Sequence, residues 1–207
     1  MKRIVIVTAL ALLPAAAASA QLMGMPIFNS PKGGTGISVN ADLGLPGEQA
    51  GKGTAFGGRA SVGLANITIT GGVSSWKPDG APESITSYGG TLAFKVIGGG
   101  LAPVAINVLA GGAGHSGGIS GVTTALIGAG VSAGLPTPGI SIEPYATVTN
   151  IWSISSGTTD SDVGVTFGAN LGFGMTGLHL AYTTVSEGGA SRSVFGIGAH
   201  VSLKAPI

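Results

Sequence analysis

Gly114-His115-Ser116-Gly117-Gly118 has the G-x-S-x-G spacing that seats a nucleophilic serine on a strained strand-to-helix elbow in many hydrolases. That serine also needs an oxyanion hole and a His and an acid from elsewhere in the chain. Nothing after Gly118 reads as a helix, and in a chain with 39 glycines a chance match is ordinary, so a flexible loop tip is expected here. A second grouping joins His115 to Asp160 and Asp162, which could activate a water by general-base action at one end of the fold. Asp160-Ser161-Asp162 lies in a Ser/Thr/Gly stretch, however, and reads as a solvated turn. His115, His179 and His200 lack metal-ligand spacing, and Gly51-Lys52-Gly53-Thr54 lacks the spacing and following helix of a phosphate loop. No catalytic, metal or cofactor-binding residue is assigned, no cofactor is expected, and the expectation is a protein that is not an enzyme.

The elements that position these residues follow from a period of two. Val163, Val165, Phe167, Ala169, Leu171 and Phe173 share one face, and Gly164, Thr166, Gly168, Asn170 and Gly172 the other. Successive side chains of a β-strand point to opposite sides, so this is a strand with one apolar face and one small, uncharged polar face. The same template finds about ten strands: 36–43, 54–64, 67–76, 85–97, 104–114, 122–135, 140–152, 163–173, 177–185 and 193–203. Eight or twelve also fit, because the fifth and sixth are heavily broken by glycine and alanine. On this reading Asp42, Arg59, Lys95, Glu143, His179 and His200 all lie on the non-apolar face of their strands. If that face lines a lumen, they are enclosed charges that must be paired or hydrated. They would form either a salt-bridged closure of a narrow barrel or a water-filled constriction that selects small solutes.

The connections alternate in kind. Ala65-Asn66, 98–103, 136–139 and 174–176 are short and uncharged. The stretches 44–53, 77–84, 153–161 and 186–192 are longer and polar, and most of the acids lie in or beside them; 115–121 falls in the same series, though it is short and uncharged. Long loops at one end and short turns at the other mark a transmembrane barrel, and most runs have the ~9–11 residues that a tilted spanning strand needs. An even strand number puts both termini on the short-turn, periplasmic side. Trp76, Tyr88 and Trp152 sit at strand ends beside long loops, where an interfacial aromatic girdle belongs. Two long uncharged stretches, 96–114 and 117–142, carry too much glycine, proline and polar residue for spanning helices.

The amino terminus reads as an export signal. Lys2 and Arg3 precede an apolar run from Ile4 to Leu13, and Ala18-Ser19-Ala20 gives the small-x-small cleavage pattern. Removing residues 1–20 leaves a near-neutral chain, residues 21–34 read as a periplasmic tail, 35–204 as the barrel and 205–207 as a C-terminal tail. The sequence has no cysteine, so neither a lipid-anchored cysteine nor a disulfide framework is available. Only 8% of residues are charged, against ~25% in an ordinary soluble domain. No basic patch with interleaved aromatics is present, so no nucleic-acid partner is expected.

Signal, alternation, loop asymmetry and a C-terminal strand with Phe195, Ile197, Ala199, Val201 and Leu203 on one face together resemble the small outer-membrane β-barrel proteins of Gram-negative-type bacteria. The chain departs from their usual aromatic terminus by ending Lys204-Ala205-Pro206-Ile207. The resemblance implies a closed antiparallel up-and-down barrel in the cell outer membrane, with outer-membrane lipid and the barrel-assembly machinery as partners. The function expected is a narrow passive channel or a structural envelope barrel. An outer-membrane surface hydrolase using rim His and Asp residues, or a soluble secreted or periplasmic binding barrel, stand as the alternatives.

Overall fold

The structure is a computed structural model that describes residues 22–99, 102–119, 121–187 and 189–204. The expected signal at 1–20 and C-terminal tail at 205–207 lie outside the described residues. The strands are β1 Gly36–Pro46, β2 Thr54–Leu64, β3 Ile67–Lys77, β4 Ile85–Gly99, β5 Ala102–Gly117, β6 Val122–Ala133, β7 Leu135–Thr137, β8 Ile140–Ser155, β9 Thr158–Phe173, β10 Thr176–Glu187 and β11 Ala190–Lys204. Neighbours pair antiparallel in chain order, β1 pairs with β11 along its whole length, and β6 pairs with β8. The result is a closed ten-stranded antiparallel barrel, with the three-residue β7 paired only to β8. Closure pairs each of the ten long strands with a neighbour on both sides, which is the condition for β-structure in lipid.

The period of two fixes which side each residue faces. The alternating apolar set points outward, and large side chains there are open to the surroundings, with Phe56 65%, Val39 60% and Leu203 61% exposed. The inward set is mostly glycine, serine, threonine and alanine. The uncharged stretches weighed against spanning helices form strands, and among the described residues no helix is long and apolar enough to cross a membrane.

Two of the expected long loops are instead strand extensions. β8 and β9 run on to a two-residue turn in which Ser156 and Gly157 both have positive φ, 43° and 87°. That conformation matches the right-handed twist of the flanking strands and lets the hairpin continue past the barrel rim. β10 and β11 pair as far as Glu187 and Ala190 in the same way. Asp160 therefore sits on a paired strand rather than in a solvated turn. The expected loop tip at Gly114–Gly118 is corrected likewise: β5 extends to Gly117, and the backbone of His115 pairs opposite Ser87 of β4.

Candidate functional site in the lumen

A ten-stranded barrel is wider than the eight-stranded kind that side chains alone can fill. Here the inward side chains are unusually small, so the centre would be hollow. The chain's own residues 22–35 fill it. They were expected as a tail before the barrel; they run through it, from the loop end to the short-turn end, where β1 begins. Gly24, Met25, Pro26, Ile27 and Pro31 are buried. The apolar residues of this plug could not stay in water cheaply, and the prolines keep it from pairing as a strand.

Glycines of the wall give the plug its room. Gly44 of β1 lies against the carbonyl of Gly24, and Gly63 of β2 against that of Gly34, so closely that a Cβ would overlap the oxygen. A Cβ on Gly57 would come 2.8 Å from Cε of Met25, and one on Gly196 would come 2.6 Å from Cγ of Pro26. Gly24 is fixed from both directions: its φ is +75°, and a Cβ there would meet Trp76 at 2.6 Å. Ile27 packs with Leu109, Leu126, Ile151 and Val185 in an apolar cluster toward the loop end.

Polar groups of the wall bind the plug's backbone and side chains along its length. At the loop end, the Met23 amide donates to Ser87 Oγ at 3.1 Å and the Ser74 hydroxyl donates to the Met23 carbonyl at 3.1 Å. Further in, the Ile27 amide donates to Thr183 Oγ1 at 2.9 Å. Asn29 and Asn107 exchange amide hydrogen bonds of 3.2 and 2.9 Å, Asn29 also donates to Thr147 Oγ1 at 3.0 Å, and Asn170 donates to the Asn29 carbonyl at 3.0 Å. At the short-turn end Glu143 takes the Lys32 amide on Oε1 at 2.9 Å and the Ser30 hydroxyl on Oε2 at 2.8 Å, with Asn170 Nδ2 at 3.3 Å. Paired in this way, the plug's buried backbone groups avoid the ~1–3 kcal/mol that an orphaned donor or acceptor costs.

The six residues singled out from the sequence divide into groups. Asp42, Arg59, His179 and His200 come together. Arg59 Nε and Nη2 donate to the two oxygens of Asp42 at 2.6 and 2.9 Å, a bidentate pair. His179 Nε2 lies 2.6 Å from Asp42 Oδ1, and His179 Nδ1 lies 3.3 Å from His200 Nδ1, with the two rings stacked at 5.6 Å. Arg59 Nη2 also lies 3.1 Å from His179 Nε2, so the carboxylate, the guanidinium and the two imidazoles form one continuous polar cluster. The plug's Phe28 caps this group: its ring lies 4.3 Å from the guanidinium carbon of Arg59 and edge-on to His179 at 4.8 Å. Glu143 stands apart and serves the plug. Lys95 is at the rim, donating from Nζ to the Lys32 carbonyl at 3.3 Å. Around Arg59, Glu143, His179 and His200 a cup of about 790 Å³, rich in Ser, Thr and Asn side chains, opens at the short-turn end.

The other candidates separate. His115 is buried, with Nδ1 2.8 Å from Ser87 Oγ and Nε2 3.3 Å from Thr124 Oγ1. Ser116, the next residue along the strand, necessarily faces the opposite side, with its hydroxyl 3.5 Å from the Thr86 carbonyl. Asp162 pairs instead with Arg192 at 3.3 Å. The aromatic girdle is corrected in part. Tyr88 has the outward parity of β4 and Trp152 that of β8, but Trp76 faces the lumen, where its Nε1–H donates to the Lys52 carbonyl at 2.8 Å.

No protein-family description matches this sequence, and no curated protein does. Among solved structures, the β domain of the Bordetella autotransporter BrkA aligns with a TM-score of 0.52 at 11% identity, covering 83% of this chain and 100% of that one. The shared property is the barrel fold. The N-terminal β-barrel domain of Pseudomonas aeruginosa OprF aligns at a TM-score of 0.41 and 11% identity, over 83% of this chain and 99% of that one. Neisserial surface protein A gives 0.42 and 14%, over 82% and 98%.

Sequence reasoning missed the plug and the residues that hold it, chiefly Phe28, Asn29, Asn107 and the Ser87–His115 pair. One signal was present: Met25, Ile27 and Phe28 are too apolar for a tail in water.

Proposed function

We propose that this chain is an outer-membrane β-barrel whose lumen is held shut by its own N-terminal segment, so that it serves as a structural envelope barrel rather than an open pore. The observation that carries this is the plug, hydrogen-bonded to wall residues from Ser87 near the loops to Glu143 near the short turns. The membrane half of the reading is supported by the outer face, where every barrel strand presents exposed aliphatic or aromatic side chains such as Val39, Phe56, Leu92, Ile127, Val148 and Ile197. A soluble monomer rarely exposes an apolar patch beyond a few hundred Å². A soluble binding barrel would place its apolar set inside, the reverse of this arrangement.

The charged group of Asp42, Arg59, His179 and His200 then acts as internal closure: the cation and the anion satisfy one another, and Phe28 covers them. Small solutes would reach the cup from the short-turn side and stop at the plug. Outer-membrane lipid and the assembly machinery, which would receive the outward face of β11, complete the set of partners.

Fractionation with the outer membrane, and a barrel band on detergent gels that shifts on heating, test the membrane assignment. Reconstitution into planar bilayers tests the closure. The intact protein should hold no steady conductance, and a chain lacking residues 22–34 should conduct. Equal, steady conductance from both would overturn the closed-barrel reading.

A further inference from the structure

The direction of the plug has a topological consequence. At one end Met23 is bound between Ser74 and Ser87, which lie close to the loop-side ends of β3 and β4, and Gly24 lies under Trp76. Met23 and Gly24 share a small recess at that mouth with Ala50 and Arg192. At the other end Gly34 touches Gly63, and the Thr35 hydroxyl accepts the amide of Ala65 in the short β2–β3 turn at 3.4 Å. The segment therefore traverses the lumen lengthwise. About a dozen extended residues reach at most ~40 Å, enough to cross a hydrocarbon core of ~30 Å. An even-stranded barrel would ordinarily start and finish on one side. Here β1 begins and β11 ends at the short turns, but the chain leading into β1 enters from the opposite mouth.

We infer that the plug enters the lumen from the loop mouth, and hence from the exterior of the cell, so that Met23 stands at the surface side of the barrel while β1 starts on the periplasmic side. The inference rests on the membrane orientation proposed above, with short turns in the periplasm. It also requires the barrel to close around the segment: Gly44, Gly57, Gly63 and Gly196 leave space for backbone and small side chains, not for threading a folded unit afterwards. That mouth is flanked by exposed loop residues such as Glu48 and Asp79, at the opposite end from the cup on the periplasmic side.

The absence of cysteine from the sequence makes the test clean. A short flexible peptide carrying one cysteine is inserted between Gln21 and Leu22, with Asp79→Cys as loop-side reference and Asn66→Cys as short-turn reference. Each is treated with a bulky, membrane-impermeant maleimide on intact cells and again after the outer membrane is opened. Heat-modifiable migration confirms that each variant has folded. The expected result is a band shift for the inserted cysteine and for Asp79→Cys in intact cells, and for Asn66→Cys only after opening. An inserted cysteine that shifts only after opening, while Asp79→Cys shifts in intact cells, overturns the inference and leaves the membrane reading standing. If Asp79→Cys is also silent in intact cells, or Asn66→Cys shifts there, the proposed orientation fails and the inference with it.

Discussion

Gly44 of β1 and Gly24 of the plug meet backbone to backbone, with no space for a side chain between them. Gly58, on the neighbouring strand, faces outward, and a Cβ there would find only an ordinary contact at 3.7 Å. Gly44→Val should therefore push the plug from its seat, and Gly58→Val should leave it in place. Conductance across planar bilayers is the readout: channel activity is expected for Gly44→Val alone. Silence from a correctly folded Gly44→Val barrel would show that the plug is not the seal.

The Asp42–Arg59 pair is nearly sealed from solvent, with the two side chains 2% and 16% exposed. Removing one partner of such a pair costs about 3–5 kcal/mol, and without Arg59 the Asp42 carboxylate keeps only His179 beside it. Arg59→Ala should lower the denaturation midpoint in detergent by that order, and it also strips the cation from the face of Phe28. Replacing both members by apolar residues, Asp42→Leu with Arg59→Met, should recover much of the loss. A double variant no more stable than Arg59→Ala would count against mutual charge compensation as the role of the pair.

Ser116 and His115 face opposite sides of β5, so His115 cannot serve Ser116 as a base. Ser116→Ala should change stability by less than about 0.5 kcal/mol, as for an exposed substitution outside any network. His115→Ala should destabilise more, because it leaves the buried Ser87 and Thr124 hydroxyls without their ring partner. Thermal unfolding of the two variants checks the contrast. An ester-cleaving activity abolished by Ser116→Ala would revive the hydrolase reading.

The chain has two tryptophans, and they face opposite ways. Trp76→Phe leaves Trp152 on the outer face, and Trp152→Phe leaves Trp76 over the plug. In vesicles of brominated lipid the fluorescence of the first variant should be strongly quenched and that of the second little affected. Equal quenching would place Trp76 at the lipid surface and remove it from the lumen mouth.

Much of the architecture was legible because it depends on local periodicity. The Val163–Phe173 alternation specified both faces of β9 before any partner strand was known, and the same rule placed Asp42, Arg59, Glu143, His179 and His200 away from the apolar side. Strand ends were harder. Ser156-Gly157 closes a tight hairpin, but the polar residues around it look the same in a loop as in a strand extending past the rim. Trp76 was misplaced because an aromatic near a strand end fits either face unless its parity is counted against its neighbours.

By itself, the sequence determined the strands, their faces and the smallness of the inward residues, since each follows from side-chain type at a spacing of two. Only the tertiary structure decided what fills the centre. Residues 22–35 have no periodic pattern, and their hydrogen-bond partners, from Ala65 to Thr183, are scattered over the chain and converge only when the sheet closes. Closure is what makes a lumen, and the lumen is what turns an apparent tail into a plug.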